Sequence, residues 1–209
     1  MNRTPETVEN NKEEVPFRHY CDRFRALDPK EAAARCAVPF DGKEFRVTLL
    51  DTEYRLSWPE FAIATDSGEG LALTKLPMQT FLMRYLLEGK AAPASENFLT
   101  FREMPWGEMY IQPYTGRVLT RAAFTFGTRI DAFRHAAEKM GAVKENHGDA
   151  GYEFELVPGY RMQILVWEGD EEFPPNAQVL YSDNFETGFA PEDRVVAGDI
   201  LISTIKANF

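Results

Sequence analysis

The stretch that decides the fold runs from Arg161 to Asp183 and reads RMQILVWEGDEEFPPNAQVLYSD. Its first part, Met162 to Trp167, is apolar at nearly every position and rich in branched and aromatic side chains. A run of this length that stops at a glycine is typical of a strand covered on both faces. After two prolines, Val179 to Tyr181 predicts a second, short strand. The stretch therefore predicts the centre of a β-sheet.

The segments around this stretch predict further strands. Tyr152 to Val157 alternates apolar with polar side chains, and the Pro158-Gly159 turn that follows would pair it antiparallel with the central strand. Residues 45–49 and 54–58 predict a hairpin, and residues 97–103 predict a short strand. Residues 142–149 are polar and predict a loop.

Apolar side chains spaced three and four residues apart predict several helices. Asp28 and Thr128 are the expected N-caps of two of them. The predicted helices cover residues 17–27, 29–37, 73–87, 117–126, 130–140 and 192–206. Because strands and helices come in blocks, the sequence indicates an α+β class in which helices pack on a mainly antiparallel sheet.

The first residues differ in composition from the rest of the chain. Residues 1–14 contain one apolar side chain beyond Met1, which is too few to offset the entropy of ordering. We expect a disordered tail over residues 1–15 and a single α+β domain over residues 16–209.

The formal net charge of -10 excludes some classes of partner. Nucleic acids and anionic membranes are bound by clustered lysines and arginines, and no such cluster is present. There is no apolar run near 18 residues and no signal-like start, so we expect a cytoplasmic protein. Cys21 and Cys36 lie on apolar helix stripes and are expected to act as small buried hydrophobes.

No familiar catalytic motif is present. The sequence lacks GxGxxG, the P-loop, GxSxG, HExxH and paired CxxC patterns. The three histidines fall on predicted helix surfaces or loops, where they do not form a base for a nucleophile. The nucleotide-binding, hydrolase and iron-sulfur classes therefore have no local support.

Acidic residues gather where the central strand leaves the sheet, from Glu168 to Glu172. Carboxylates that converge repel one another unless a cation or a proton joins them. Asp149, Asp170, Glu171 and Glu172 are the candidate ligands of a divalent metal, since oxygen-rich sets suit Mg²⁺, Ca²⁺ or Mn²⁺.

Two structural alternatives exist for the same acidic turn. In the first, its carboxylates are solvated and Phe173 returns to the core. In the second, Glu168 or Asp170 pairs with Arg102 or Arg161 inside the domain and fixes the turn. The sequence leaves both open beside the metal site.

Aromatic side chains suggest a different kind of site. Arg102, Trp106, Tyr110, Trp167 and Glu168 are the candidate ligand-binding residues, in an apolar pocket with fixed charges. Buried aromatic residues are also ordinary components of a core, which is the alternative for the same side chains.

Several short motifs carry a resemblance to a known family. They are Ile164 to Pro174 with its WEGDEEF core, Arg84-Tyr85-Leu86, Phe101-Arg102-Glu103 with Gly107 and Tyr110, and Gly148-Asp149. Together they resemble an uncharacterised domain-of-unknown-function family of anaerobic bacteria and archaea, over roughly residues 17 to 207. The family has no assigned activity. Some relatives carry an N-terminal four-cysteine domain similar to that of corrinoid iron-sulfur proteins, a domain not found in this chain.

The resemblance and the missing motifs lead to one main functional hypothesis. It is a cytoplasmic accessory protein that binds a small ligand or a partner, linked to corrinoid or metal-centre metabolism in anaerobes, with a tetrapyrrole among the expected ligands and the cofactor left open. One alternative is a metal-assisted enzyme in which the acidic turn at 168–172 binds a divalent cation that activates water. The other is a purely structural role for that turn.

Overall fold

The computed structural model describes residues 12–209, so that most of the predicted tail lies outside the described residues. The helices are α1 (Glu14–Ala26), α2 (Pro29–Cys36), α3 (Leu76–Glu88), α4 (Gly107–Tyr114), α5 (Arg121–Phe126), α6 (Ile130–Lys139), α7 (Phe185–Gly188) and α8 (Pro191–Ala207). The strands are β1 (Glu44–Leu49), β2 (Thr52–Ser57), β3 (Ile63–Ala64), β4 (Phe98–Thr100), β5 (Val143–Glu145), β6 (Ala150–Val157), β7 (Tyr160–Trp167) and β8 (Asn176–Ser182). A 3₁₀ turn (Leu71–Leu73) precedes α3, and a π-helical segment (Thr115–Thr120) joins α4 to α5.

The strands form two antiparallel sheets, which confirms the α+β prediction. One sheet has the order β1-β2-β3 and the other β4-β8-β7-β6-β5. The predicted central strand is β7, in the middle of the larger sheet, and it pairs antiparallel with β6 and β8. Met162, Ile164 and Val166 are fully buried on one face of β7, and helices cover the sheet.

The helix predictions hold with small changes. Asp28 caps α2 as predicted, since its carboxylate accepts hydrogen bonds from the backbone N–H groups of Lys30 and Glu31. Thr128 is not the cap of α6, because its hydroxyl donates back to the carbonyl of Phe124, a competing bond that threonine often makes. Cys36 is buried as predicted, and Cys21 is half-buried.

Two segments differ from the sequence expectations. The predicted loop at residues 142–149 includes β5, which pairs with β6 at the edge of the larger sheet. The polar side chains of this short strand fit an edge position, where one face meets water. The predicted helix from Arg117 is the end of a longer helical run that begins at Gly107 and tolerates Pro113 in its interior.

Helices α3 and α8 position the candidate site. Helix α3 is buried around most of its circumference, as its sequence predicts, with Pro77 in its first turn and Gly89 as its C-cap residue. Helix α8 contacts α3, α4, α6 and the π-helical segment. Among residues 12–209, no helix combines the length and the apolar character that crossing a bilayer requires.

Candidate functional site

One charged side chain interrupts the buried surface of α3. Arg84 has a side chain that is only 13% exposed, and its Nε lies 2.7 Å from Oδ1 of Asp193 in the first turn of α8, which is 7% exposed. Nε nevertheless has no aligned hydrogen bond, so the contact is an ion pair held by charge. Nη1 donates to the hydroxyl of Tyr20 at 2.7 Å and lies 3.5 Å from a carboxylate oxygen of Glu192.

Burial changes the titration of this pair. Burial raises the pKa of Asp193 to about 6, although the Arg84 guanidinium opposes that change. Burial alone would lower the pKa of Arg84, but Asp193, Tyr20 and Glu192 outweigh it and the pKa is raised. Both groups are therefore charged at neutral pH, and Asp193 takes up a proton in mildly acidic solution. Shifted groups of this kind are common at functional sites.

The ion pair separates two clefts of similar size. We call the first the Arg84 cleft: it lies between the end of α3 and the start of α8, with a volume of about 440 Å³. The second, of about 470 Å³, opens on the α1 side of the same pair. Both volumes suit a small organic ligand. The Arg84 cleft is lined by Arg84, Tyr85, Trp106, Phe189, Asp193 and Arg194, among others.

Stacked aromatic rings form the apolar wall of the Arg84 cleft. The ring of Phe189 stacks on Phe81 with a centroid distance of 5.3 Å, and on Tyr85 at 5.4 Å. Phe189 directly precedes Ala190, the N-cap residue of α8, so the stack fixes where that helix begins. Offset aromatic pairs at this spacing are stabilising and rigid. The wall and the ion pair are therefore held in one fixed arrangement.

The structure separates the five residues that the sequence suggested as ligand contacts. Trp106 lines the Arg84 cleft and is 68% exposed. Arg102 and Trp167 line a different groove, of about 390 Å³ beside β8, and Arg102 pairs with Glu108. The remaining two, Tyr110 and Glu168, are both exposed. Trp106 is the one predicted residue in the Arg84 cleft.

The acidic turn is held by hydrogen bonds from its own backbone. Oδ1 of Asp170 accepts from the N–H groups of Glu172 at 2.8 Å and Phe173 at 2.7 Å, and these bonds lower the pKa of Asp170. Oδ2 of Asp149 accepts from the N–H of Glu168 at 2.9 Å. Two of the four predicted metal ligands thus fix the path of the chain.

The described part of the chain offers no assembled metal site. Within residues 12–209, no three His, Cys, Asp or Glu side chains are close enough together to hold a metal ion. Asp149, Asp170, Glu171 and Glu172 are all exposed to solvent. The metal-assisted enzyme therefore stays a prediction without a preformed ligand set behind it.

Two expectations about the acidic turn are wrong. Arg102 pairs with Glu108, and Arg161 pairs with Glu153 and Glu96, so neither arginine meets the turn. Phe173 is 66% exposed and does not return to the core.

Pro175, two residues after Phe173, is the residue of this segment that packs closely against the domain. Pro175 packs against the chain so closely that a Cβ atom on Gly127 or Gly169 would lie 2.6 or 2.7 Å from its ring. The proline therefore packs against the body of the domain after the turn, while Phe173 stays exposed.

The sequence contained a signal for the buried pair that motif reasoning missed. Arg84 is the one basic residue in α3, a helix predicted to be buried. A buried charge needs a partner, and such a helix therefore implies a carboxylate elsewhere in the chain. The sequence could not identify Asp193 as that carboxylate, because the pairing depends on how α3 and α8 pack.

Comparison with protein families gives the chain a classification. A family model described as a domain of unknown function (DUF3786) matches residues 28–204. The chain belongs to this family. The DUF3786 match includes Arg84, Trp106, Asp193 and Arg194. All residues that line the Arg84 cleft therefore lie within the family domain. Neither the curated proteins nor the solved structures include a match to the chain.

Proposed function

We propose that this DUF3786 protein is a cytoplasmic accessory protein that binds a small ligand in the Arg84 cleft. The observation that carries the proposal is the buried ion pair of Arg84 and Asp193 in the wall of the cleft. Burying two charges costs several kcal/mol per ion, and well-packed apolar residues would serve the fold at least as well. A charged pair that borders a cleft instead suits recognition of a polar ligand.

The features that would make the cleft an enzyme site have less support. The three histidines, His19, His135 and His147, are all exposed, as the sequence predicted. Burial raises the pKa of the Cys36 thiol to about 11, which keeps it protonated and unreactive at neutral pH. Binding thus has more support than covalent catalysis, and the metal-assisted alternative would have to assemble its ligands from exposed side chains.

The link to corrinoid or metal-centre metabolism rests on the family resemblance alone. That family occurs in anaerobic hosts, and some of its members carry an iron-sulfur domain. We keep this link as part of the proposal, and a corrinoid and several metal ions belong among the first compounds to test.

The test is native mass spectrometry of protein purified without oxygen from its own host. A mass excess that disappears on denaturation is expected for a bound small molecule. Thr187→Trp would fill the Arg84 cleft from its exposed rim and remove the excess, whereas Thr120→Trp, an exposed site outside the cleft, would keep it.

A melting experiment supplies the second arm of this test. Ligands that bind the native state raise the melting temperature, by an amount that grows with concentration. If the protein carries no excess mass and no corrinoid, metal ion or organic metabolite in a broad panel raises the melting temperature, the proposal is wrong. An increase that Thr187→Trp leaves unchanged would place the ligand outside the Arg84 cleft.

A further inference from the structure

Arg194 is a buried cation without a carboxylate partner in the described residues. It is only 3% exposed and lies on the first turn of α8, beside the Arg84 cleft. Its Nε donates to the carbonyl of Phe189 at 3.0 Å and its Nη1 to the carbonyl of Pro105 at 2.9 Å. Burial lowers the pKa of Arg194, and the negative charges of Glu186 and Asp193 oppose that change only in part.

The third nitrogen of this guanidinium is available. Among residues 12–209, no hydrogen bond from Nη2 of Arg194 is found, and no carboxylate lies within ion-pair distance of the group. Nη2 is also not one of the side-chain nitrogens that are fully enclosed without a partner, so it retains contact with solvent. Arg194, Phe189 and Pro105 all line the Arg84 cleft, and we infer from this that Nη2 meets solvent there.

The start of α8 adds positive potential at the same place. The helix is 17 residues long, and its N-cap residue, Ala190, has no side chain that could accept from the free N–H groups of the first turn. The aligned peptide dipoles leave partial positive charge at this end. Glu192 and Asp193 in the first turn offset part of it, but both carboxylates already lie beside the guanidinium of Arg84. Arg194 and the uncapped turn together favour an anion.

An exposed aromatic ring stands at the rim of the cleft. Trp106 has a backbone φ of 65°, a left-handed conformation that bulky side chains rarely adopt. The hydrogen bond from Arg194 to Pro105 holds the preceding residue, and Gly107 allows the close approach of the Phe101 carbonyl on the other side. The indole is thus presented to solvent by a fixed turn, where it can stack on a flat ligand.

We propose that the Arg84 cleft selects a small organic anion, whose carboxylate or phosphate group binds Nη2 of Arg194 at the start of α8 while its planar apolar body packs on Trp106. This inference rests on the proposed ligand-binding function and adds the chemical class of the ligand. A carboxylate and a phosphate offer the same acceptor oxygens to a guanidinium, and the experiment separates the two.

The experiment titrates the protein with benzoate, phenyl phosphate and inorganic phosphate, and with uncharged benzamide as the matched neutral probe. Binding is followed by NMR shifts of the backbone amides between residues 187 and 194, Pro191 excepted, and of the Trp106 indole N–H. Benzoate or phenyl phosphate is expected to bind at least about tenfold more tightly than benzamide, because a hydrogen bond to a charged group is stronger than a neutral one. The tighter of the two identifies the anionic group.

Two variants test the role assigned to Arg194. Arg194→Lys keeps the charge but loses the fork of donors, and should weaken anion binding about tenfold with no change for benzamide. If this buried variant does not fold, Thr187→Glu, at the exposed rim of the cleft, places a negative charge there and should weaken anion binding similarly. Thr120→Glu, outside the cleft, is the control and should have no effect.

The outcomes separate this inference from the proposed function. If benzamide binds as tightly as both anions, the cleft is a binding site, but the inference that it selects anions is wrong. Shifts caused equally by inorganic phosphate in the native protein and in Thr187→Glu would mean unspecific screening and would also overturn the inference. If no probe shifts the cleft amides and the protein from its host carries no ligand, both the inference and the proposed function are wrong.

Discussion

Replacing Asp193 with asparagine should change how the stability of the protein depends on pH. The amide keeps the shape of the side chain and an oxygen next to Arg84, but it does not titrate. Asp193 has a native pKa of about 6, against 3.8 for an unperturbed aspartate, and burial is the main cause. The native state therefore binds a proton more tightly than the unfolded state does.

The sign and the size of the effect follow from this difference. The stability that the protonated carboxyl contributes is fully present below the unfolded pKa, and is lost as the pH rises through the native pKa. The whole difference between the two pKa values corresponds to about 3 kcal/mol, nearly all of which is lost between about pH 3 and pH 7. Between about pH 4.5 and pH 7.5 the native protein should lose about 2 kcal/mol relative to Asp193→Asn.

The measurement is urea unfolding of both proteins across this pH range, with the difference between their unfolding free energies plotted against pH. Asp131→Asn, which also removes one carboxylate but at an exposed position, serves as the control for the loss of one charge. Curves for the native protein and Asp193→Asn that run parallel would refute the reasoning. They would mean that Asp193 is solvated well enough, or paired well enough with Arg84, to titrate like a free aspartate.

Further predictions concern two glycines and the acidic turn. Gly107→Ala should destabilise the protein by about 3 kcal/mol, because the new Cβ would lie 2.0 Å from the Phe101 carbonyl oxygen; thermal and urea unfolding measure the loss. Gly116→Ala is the matched control: nothing lies within 4 Å of its Cβ, and the change should stabilise the helical run by about 0.5 to 1 kcal/mol. Asp170→Ala should speed hydrogen exchange at the amides of Glu172 and Phe173 and leave the rest of the sheet unchanged, whereas Asp170→Asn should keep their protection.

Most of the fold could be predicted from local patterns. The strand at Met162–Trp167, its hairpin partner and the Asp28 cap depend on spacing and on residues close in sequence, and all three were found as expected. The larger sheet also contained β5, whose three residues, Val143, Lys144 and Glu145, are too few to show the alternation that identifies a strand. Short edge strands are defined by their neighbour rather than by their own sequence, which is why composition suggested a loop.

The candidate site was much harder to predict than the fold. Arg84 and Asp193 are 109 positions apart in the chain, and only the packing of α3 on α8 brings them together. The aromatic residues suggested as one pocket are divided between two, because Trp106 turns towards α8 while Trp167 lies beside β8. Side chains that share a chemistry in the sequence need not share a cavity in the fold.

The acidic turn and the buried pair show why burial is a better guide to this site than the number of charges. The carboxylates around Asp170 remain in water, and Asp170 itself is used to order the backbone of the turn. Asp193, by contrast, is a single carboxylate that the fold removes from water at a cost which Arg84 offsets only in part. Arg194 repeats the pattern with the opposite sign and no paired carboxylate among the described residues. An anion bound in the cleft would compensate the charge of Arg194. The acidic turn needs no such ligand, because water already solvates its carboxylates.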